Sequence, residues 1–87
     1  MSSKLPILYI KSACPWCIDV VEFLWKNGIF YEEKNVTQDR AAFTEMEKKS
    51  GQTKAPVLDW HGQILADFGV DELKPFLRQQ KVSFKDA

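Results

Sequence analysis

The chain has 87 residues, enough for one domain. Apolar residues make up 45% and charged residues 28%, a globular balance that argues against disorder. Twelve Lys and Arg offset twelve Asp and Glu, so the net charge is zero and the electrostatic reason for binding nucleic acid or an anionic membrane falls away.

In chain order, Leu5 to Ile10 is a short apolar run rich in branched and aromatic residues, which predicts a buried strand with Pro6 near its start. Lys11 to Ala13 is a short loop. Pro15 suits the first position of a helix, and Gly28 suits the residue just past its end, so a helix is expected over Pro15–Asn27. Its apolar stripe is read as Ile18, Val21 and Trp25, extended by Val20 and Leu24, with Trp25 in the core. Ile29 to Val36 is expected as the second strand. Thr37 or Asp39 can cap a second helix that runs to Ser50 with Ala42, Phe43 and Met46 inward and is closed by Gly51.

Pro56 to Trp60 reads as the third strand, His61-Gly62 as a turn and Gln63 to Leu65 as the fourth strand, together a hairpin. His61 serves as a turn residue, and Trp60 beside it is expected to be partly exposed. A last helix is expected over Glu72–Gln80 with Leu73, Phe76 and Leu77 inward. Pro75 is awkward beyond its first turn and argues for a late or tight start. The tail from Val82 is expected to fray unless Phe84 docks. Arg40, Lys48 and Lys49 read as solvated helix charges, and Glu45 and Glu47 do not form a catalytic carboxylate pair. The order β-α-β-α-β-β-α makes a single α/β domain over 1–87, with its core at about 5–80 and four strands flanked by three helices. No apolar run approaches the roughly 20 residues that span a bilayer, and Met1 to Pro6 has no leader pattern. A cytoplasmic monomer is expected, with neither a membrane nor a nucleic-acid partner.

The chemistry is concentrated in Cys14-Pro15-Trp16-Cys17. A cysteine immediately before a helix sees unpaired backbone N–H groups and the positive end of the helix dipole, both of which favour thiolate. Lys11, three residues upstream, adds a cation. Cys17 lies one turn inside the helix, within disulfide range and more buried. Cys14 is therefore the expected nucleophile and Cys17 the resolving thiol, with Trp16 flanking the pocket. A zinc site would need two further ligands, and His61 is the chain's single histidine, so no metal is expected. A strand–C-x-x-C–helix order also argues against an inert pair of buried cysteines.

A second feature is Thr53-Lys54-Ala55-Pro56-Val57, a proline at the start of a strand. Alone, the segment reads as an ordinary trans proline. Beside a C-x-x-C pair it reads as a cis peptide bond whose turn exposes the Ala55 backbone to a peptide substrate.

Tyr9-Ile10-Lys11-Ser12-Ala13-Cys14-Pro15-Trp16-Cys17 resembles the active-site segment of dithiol glutaredoxins, with Trp16 where the family usually has Tyr. Asn27 to Tyr31, Ser50-Gly51 and Lys54-Ala55-Pro56 continue the likeness, which runs from Leu5 to about Gln80. The resemblance implies a thioredoxin-like fold, no bound cofactor, glutathione as co-substrate, and attack by Cys14 on protein disulfides or glutathione mixed disulfides. It places Lys11, Trp16, Lys54, Ala55, Pro56, Asp67 and Phe68 at the glutathione or substrate site. Ala66-Asp67 stands where the family usually carries Gly-Gly, so side chains crowd that place and Asp67 puts a negative charge near a carboxylate. The residue in the second helix that often holds the glycine carboxylate aligns with Phe43. Lys54 replaces a threonine and either offers a compensating cation or is simply solvated; Arg40 is a further candidate for that carboxylate. Lys54-Ala55-Pro56-Val57 and Asp67 to Asp71 also resemble the redoxins that thioredoxin reductase feeds and that serve ribonucleotide reductase, an alternative that Pro15 and Trp16 count against. A third reading, a carrier of an iron–sulfur cluster, is also disfavoured by Pro15.

Overall fold

The computed structural model describes residues 5–85. The N-terminal Met1 to Lys4, on which part of the leader expectation rests, lies outside that range. The elements are β1 (Ile7–Ile10), α1 (Pro15–Lys26), β2 (Glu32–Asn35), α2 (Arg40–Ser50), β3 (Val57–Trp60), β4 (Gln63–Ala66) and α3 (Val70–Gln79), in the expected order. The strands form one mixed sheet ordered β2-β1-β3-β4. β1 runs parallel to β2 and antiparallel to β3, and β3 pairs antiparallel with β4.

The two interior strands alternate strictly, and that alternation builds two cores. Leu8 and Leu58 face one way and pack with Val20, Leu24, Phe68, Leu73 and Leu77 beneath α1 and α3. Tyr9 and Val57 face the other way and pack with Val36, Ala42 and Met46 beneath α2. Each fully buried aliphatic side chain contributes about 1.5–3 kcal/mol, so both helical layers are held chiefly by apolar burial.

The helix ends follow local rules. Gly28 (φ +66°) closes α1: its N–H donates to the Trp25 carbonyl and that of Ile29 to the Leu24 carbonyl, the paired bonds of a left-handed C-terminal cap. The Asp39 carboxylate caps α2 by accepting from the Ala42 N–H at 3.2 Å, and Gly51 ends that helix at φ +71°. The turn residues His61 and Gly62 both adopt positive φ, as a two-residue hairpin linking paired Trp60 and Gln63 requires.

Several expectations are corrected. Trp25 is 80% exposed and Ile18 63% exposed. The buried stripe of α1 is Cys17, Val20 and Leu24: Val20 and Leu24 lie inward as expected and Val21 is half-buried, but Cys17 completes the stripe in place of Ile18 and Trp25. β2 begins at Glu32 rather than Ile29, because the α1 cap occupies the chain up to Ile29. α3 begins two residues early, at Val70, where the Glu72 carboxylate accepts the Gly69 N–H at 2.8 Å. Pro75 therefore lies inside the helix, on its exposed side. Phe76 is only half-buried. The tail docks: Phe84 meets Phe23 edge-on at 5.5 Å, and the Lys85 N–H donates to the Asn27 side chain at 2.7 Å. Lys49 is not a solvated charge. It donates to Tyr9 Oη and Asp59 Oδ2, both at 2.8 Å. Tyr9 in turn donates to Glu45 at 2.5 Å, and Lys34 pairs with the same Glu45 oxygen at 2.9 Å.

Candidate active site

Cys14 is the cap residue of α1, with extended backbone (φ −113°, ψ 102°), and Pro15 is the first helical residue. The Cys17 N–H donates to Cys14 Sγ at 3.1 Å, and the Ile18 N–H donates to the Cys14 carbonyl at 3.0 Å. A sulfur placed there takes the capping bond that an Asp or Ser oxygen would normally take, which favours its anionic form. Cys14 and Cys17 are joined as a disulfide, with their Cα atoms 5.2 Å apart. The two sulfurs are not equivalent: Cys17 is 2% exposed and belongs to the buried face of α1, whereas Cys14 is half-buried at the helix tip.

The loop carrying Cys14 is tied to the end of β2. The Ser12 N–H donates to Thr37 Oγ1 at 3.0 Å, the Asn35 amide donates to Ser12 Oγ at 3.3 Å, and Asn35 Oδ1 accepts the Thr37 N–H at 2.9 Å. Thr37 thus steadies the active-site loop instead of capping α2. The sequence reading missed Asn35 and Thr37 as supporting residues. Parallel pairing of β1 and β2 was the available signal, since it brings together the loops that leave both strands at the same end.

The Ala55–Pro56 peptide bond is cis. Tyr9 pairs with Val57, the residue that follows Pro56, so the cis-proline turn enters the sheet beside the end of β1 from which the Cys14 loop departs. The Asp67 N–H donates to the Pro56 carbonyl at 3.0 Å. Asp67 itself is exposed and holds φ +52°, a backbone conformation natural to glycine. Asp67 lines two surface cavities. One, of about 540 Å³, is also lined by Trp16, Asp19, Asp71 and Glu72. The other, of about 510 Å³, is also lined by Lys54, Gln52 and Ala66.

Of the residues proposed from sequence, Asp67 shares one cavity with Trp16 and another with Lys54 and bonds to the Pro56 carbonyl, Ala55 is joined to Pro56 by the cis bond, and Lys11 is half-buried in the loop that leads to Cys14. Phe68 does not line the site: it is 1% exposed and packs into the core under α1 and α3. Phe43 and Arg40 line a separate cavity with Thr37 and Glu47. Among the described residues, no three His, Cys, Asp or Glu side chains converge to hold a metal ion, and no helix is long and apolar enough to cross a membrane.

A mixed four-stranded sheet with a dithiol at the tip of the first helix and a cis-proline turn beside it defines a thioredoxin-like redox protein. Residues 7–65, more than half of the chain, match the Glutaredoxin family, and the chain belongs to it. It is 29% identical, over 83% of its length and 96% of the relative's, to an uncharacterised glutaredoxin-like 8.6 kDa protein in a rubredoxin operon of Clostridium pasteurianum. Its structure is similar to that of the thioredoxin-like protein BC3987 (TM-score 0.74, 30% identity, covering 80% of this chain and 96% of that one). It is also similar in fold to glutaredoxin grx-1 from Archaeoglobus fulgidus (TM-score 0.75, 21% identity, covering 88% and 89%). The chain is thus a glutaredoxin-like thiol redox protein with a Cys14–Cys17 pair.

Proposed function

We propose that this protein is a thiol–disulfide oxidoreductase that reduces protein disulfides or glutathione mixed disulfides and is itself recharged by glutathione. The observation that carries the reading is the asymmetry of the pair: a half-buried Cys14 whose sulfur accepts a helix N–H, beside a buried Cys17. In the reduced protein the Cys14 thiolate attacks one sulfur of the substrate disulfide, forms a mixed disulfide and expels the other sulfur as a thiolate that takes up a proton. The Cys17 thiolate then attacks Cys14 Sγ, releases the second substrate thiol and leaves the Cys14–Cys17 disulfide. Two electrons have passed to the substrate. Two glutathione molecules restore the dithiol and leave as oxidised glutathione. Rate in each exchange depends on the attacking thiolate and on how readily the leaving sulfur departs. Such a dithiol suits a reducing compartment, which supports a cytoplasmic location.

A second reading, recharging by thioredoxin reductase, is favoured by one feature. The cavity beside Trp16 carries Asp19, Asp67, Asp71 and Glu72, which is poor company for an anionic tripeptide. A coupled assay with each donor decides between them, using Cys14→Ser and Cys17→Ser as controls. Turnover with glutathione that survives Cys17→Ser on glutathione mixed disulfides but not Cys14→Ser is the expected result. Turnover only with thioredoxin reductase, requiring both cysteines, would replace it with the second reading. No turnover with either donor would overturn both.

A further inference from the structure

The segment before the cis proline is clamped by one side chain. Gln52 Oε1 accepts the Lys54 N–H at 2.7 Å, and Gln52 Nε2 donates to the Lys54 carbonyl at 3.0 Å. The same Nε2 donates to Ser50 Oγ at 3.0 Å, and Ser50 Oγ donates to the Met46 carbonyl of α2 at 2.7 Å. The orientation of the amide is forced: Lys54 N–H can only donate, so it must face the amide oxygen. Gln52 therefore occupies both backbone groups of Lys54 and anchors them to the end of α2.

The next residues complete a pattern. Pro56 has no N–H, and its carbonyl is taken by the Asp67 N–H. Among the described residues, no hydrogen bond occupies either backbone group of Ala55, which is only half-buried. From Lys54 to Pro56, the backbone thus offers one unoccupied N–H and C=O pair, at Ala55, flanked on both sides by groups already satisfied. An extended peptide that adds to such an edge gains its orientation from main-chain bonds, and a slip of one residue turns every side chain to the opposite face.

Resting on the reductase reading above, we propose that Gln52 is a positioning residue for peptide substrates: by holding both backbone groups of Lys54 against the end of α2 it fixes the direction in which the adjoining Ala55 pair points, so that a substrate disulfide is delivered in one alignment to Cys14. Removing the Gln52 amide loosens the turn from α2, so the Ala55 pair no longer holds one orientation. Gln52 acts through the backbone of the turn, so its effect is confined to substrates that possess a peptide backbone.

The test compares two substrates of the reduced full-length protein in single turnover. One is a disulfide-linked peptide. The other is dipyridyl disulfide, which has no backbone to align. Gln52→Ala is expected to lower the second-order rate constant for the peptide about tenfold, equivalent to about 1.4 kcal/mol, and to leave that for dipyridyl disulfide within about twofold, a difference too small to count as loss of one hydrogen bond. Gln52→Glu, which keeps the acceptor for Lys54 N–H but loses the donor, should fall between. Equal losses on both substrates would make Gln52 a merely structural residue and overturn the proposal, as would an unchanged peptide rate. A wild-type protein that reduces neither substrate would instead overturn the reductase reading on which the proposal rests.

Discussion

The main-chain N–H of Asp67 reaches 3.0 Å to the carbonyl of Pro56, tying the exit of β4 to the cis-proline turn. That bond holds Asp67 at φ +52°, where a side chain costs energy that glycine avoids. Asp67→Gly is therefore expected to raise stability by about 0.5–1 kcal/mol, measured by urea unfolding, since relief of the left-handed strain exceeds the extra freedom glycine gains in the unfolded chain. It also removes a carboxylate from the cavity beside Trp16. In glutathione-coupled turnover its KM for glutathione should fall several-fold while kcat changes little. A higher KM would show that the Asp67 side chain helps to bind the donor.

Lys81 provides the same test away from the site. It ends α3 at φ +60°, with its N–H on the Arg78 carbonyl and the Val82 N–H on the Leu77 carbonyl. Lys81→Gly should stabilise the protein by about 1 kcal/mol, a rise of about 4–8 °C in Tm for a domain of this size. Activity should not change. A lower Tm would mean that Lys81 makes a contact worth more than its backbone strain.

Pro75 removes one hydrogen bond from the middle of α3, because it has no N–H to give the carbonyl of Asp71. Its exposed position lets water reach that carbonyl, so the loss is tolerated but not recovered in full. Pro75→Ala should stabilise the fold by about 1–2 kcal/mol, the helix-interior penalty of proline less the unfolded-state freedom that alanine restores. Thermal unfolding followed by circular dichroism checks this.

Under α2, Lys49 donates to both Tyr9 and Asp59. Burial alone would raise the Asp59 carboxyl, but the Lys49 ammonium outweighs it and holds the group below its ordinary value of 3.8. Hydrogen bonds from Lys34 and Tyr9 hold Glu45 below its ordinary 4.5. A carboxyl lowered by folding stabilises the native state above its unfolded value and loses that contribution as pH falls through its native value. Lys49→Met should therefore cost about 1–2 kcal/mol at neutral pH. The gap from wild type should begin to narrow as pH drops below about 4 and close as pH falls through the lowered native value, where Asp59 becomes protonated in the wild type too. Urea midpoints measured across that range would show it; a gap independent of pH would assign the loss to packing alone.

The order of elements was legible because the punctuation is local: Pro15 and Gly28 bracket one helix, Asp39 and Gly51 another, and His61-Gly62 makes the hairpin turn. The dithiol was legible for the same reason. What misled was α1, which carries apolar residues on nearly every side from Trp16 to Trp25. Centring the stripe on Ile18, Val21 and Trp25 left Val20 and Leu24 at its edge, whereas they and Cys17 form its centre, and it put Trp25 inside. Lys49 misled for a different reason. Its partners lie on two strands, and no pattern along the helix announces contacts made across the sheet. The clamp at Gln52 was hidden too, because a glutamine two residues before a lysine carries no distinctive signal until the backbone turns to meet it.

The two cores on opposite faces of the sheet are unequal, and this bears on motion. The face under α1 and α3 gathers seven buried residues against five on the other, to which α2 supplies only Ala42 and Met46 with Phe43 half-buried beside them, besides the Lys49–Tyr9–Glu45 bonds. Local opening follows the weaker packing. Amide protons of α2 should exchange with solvent before those of β1, β3 and α1. Cys14 stands on the slowly exchanging side, so the α2 layer can breathe while the Cys14–Cys17 pair and its helix stay folded.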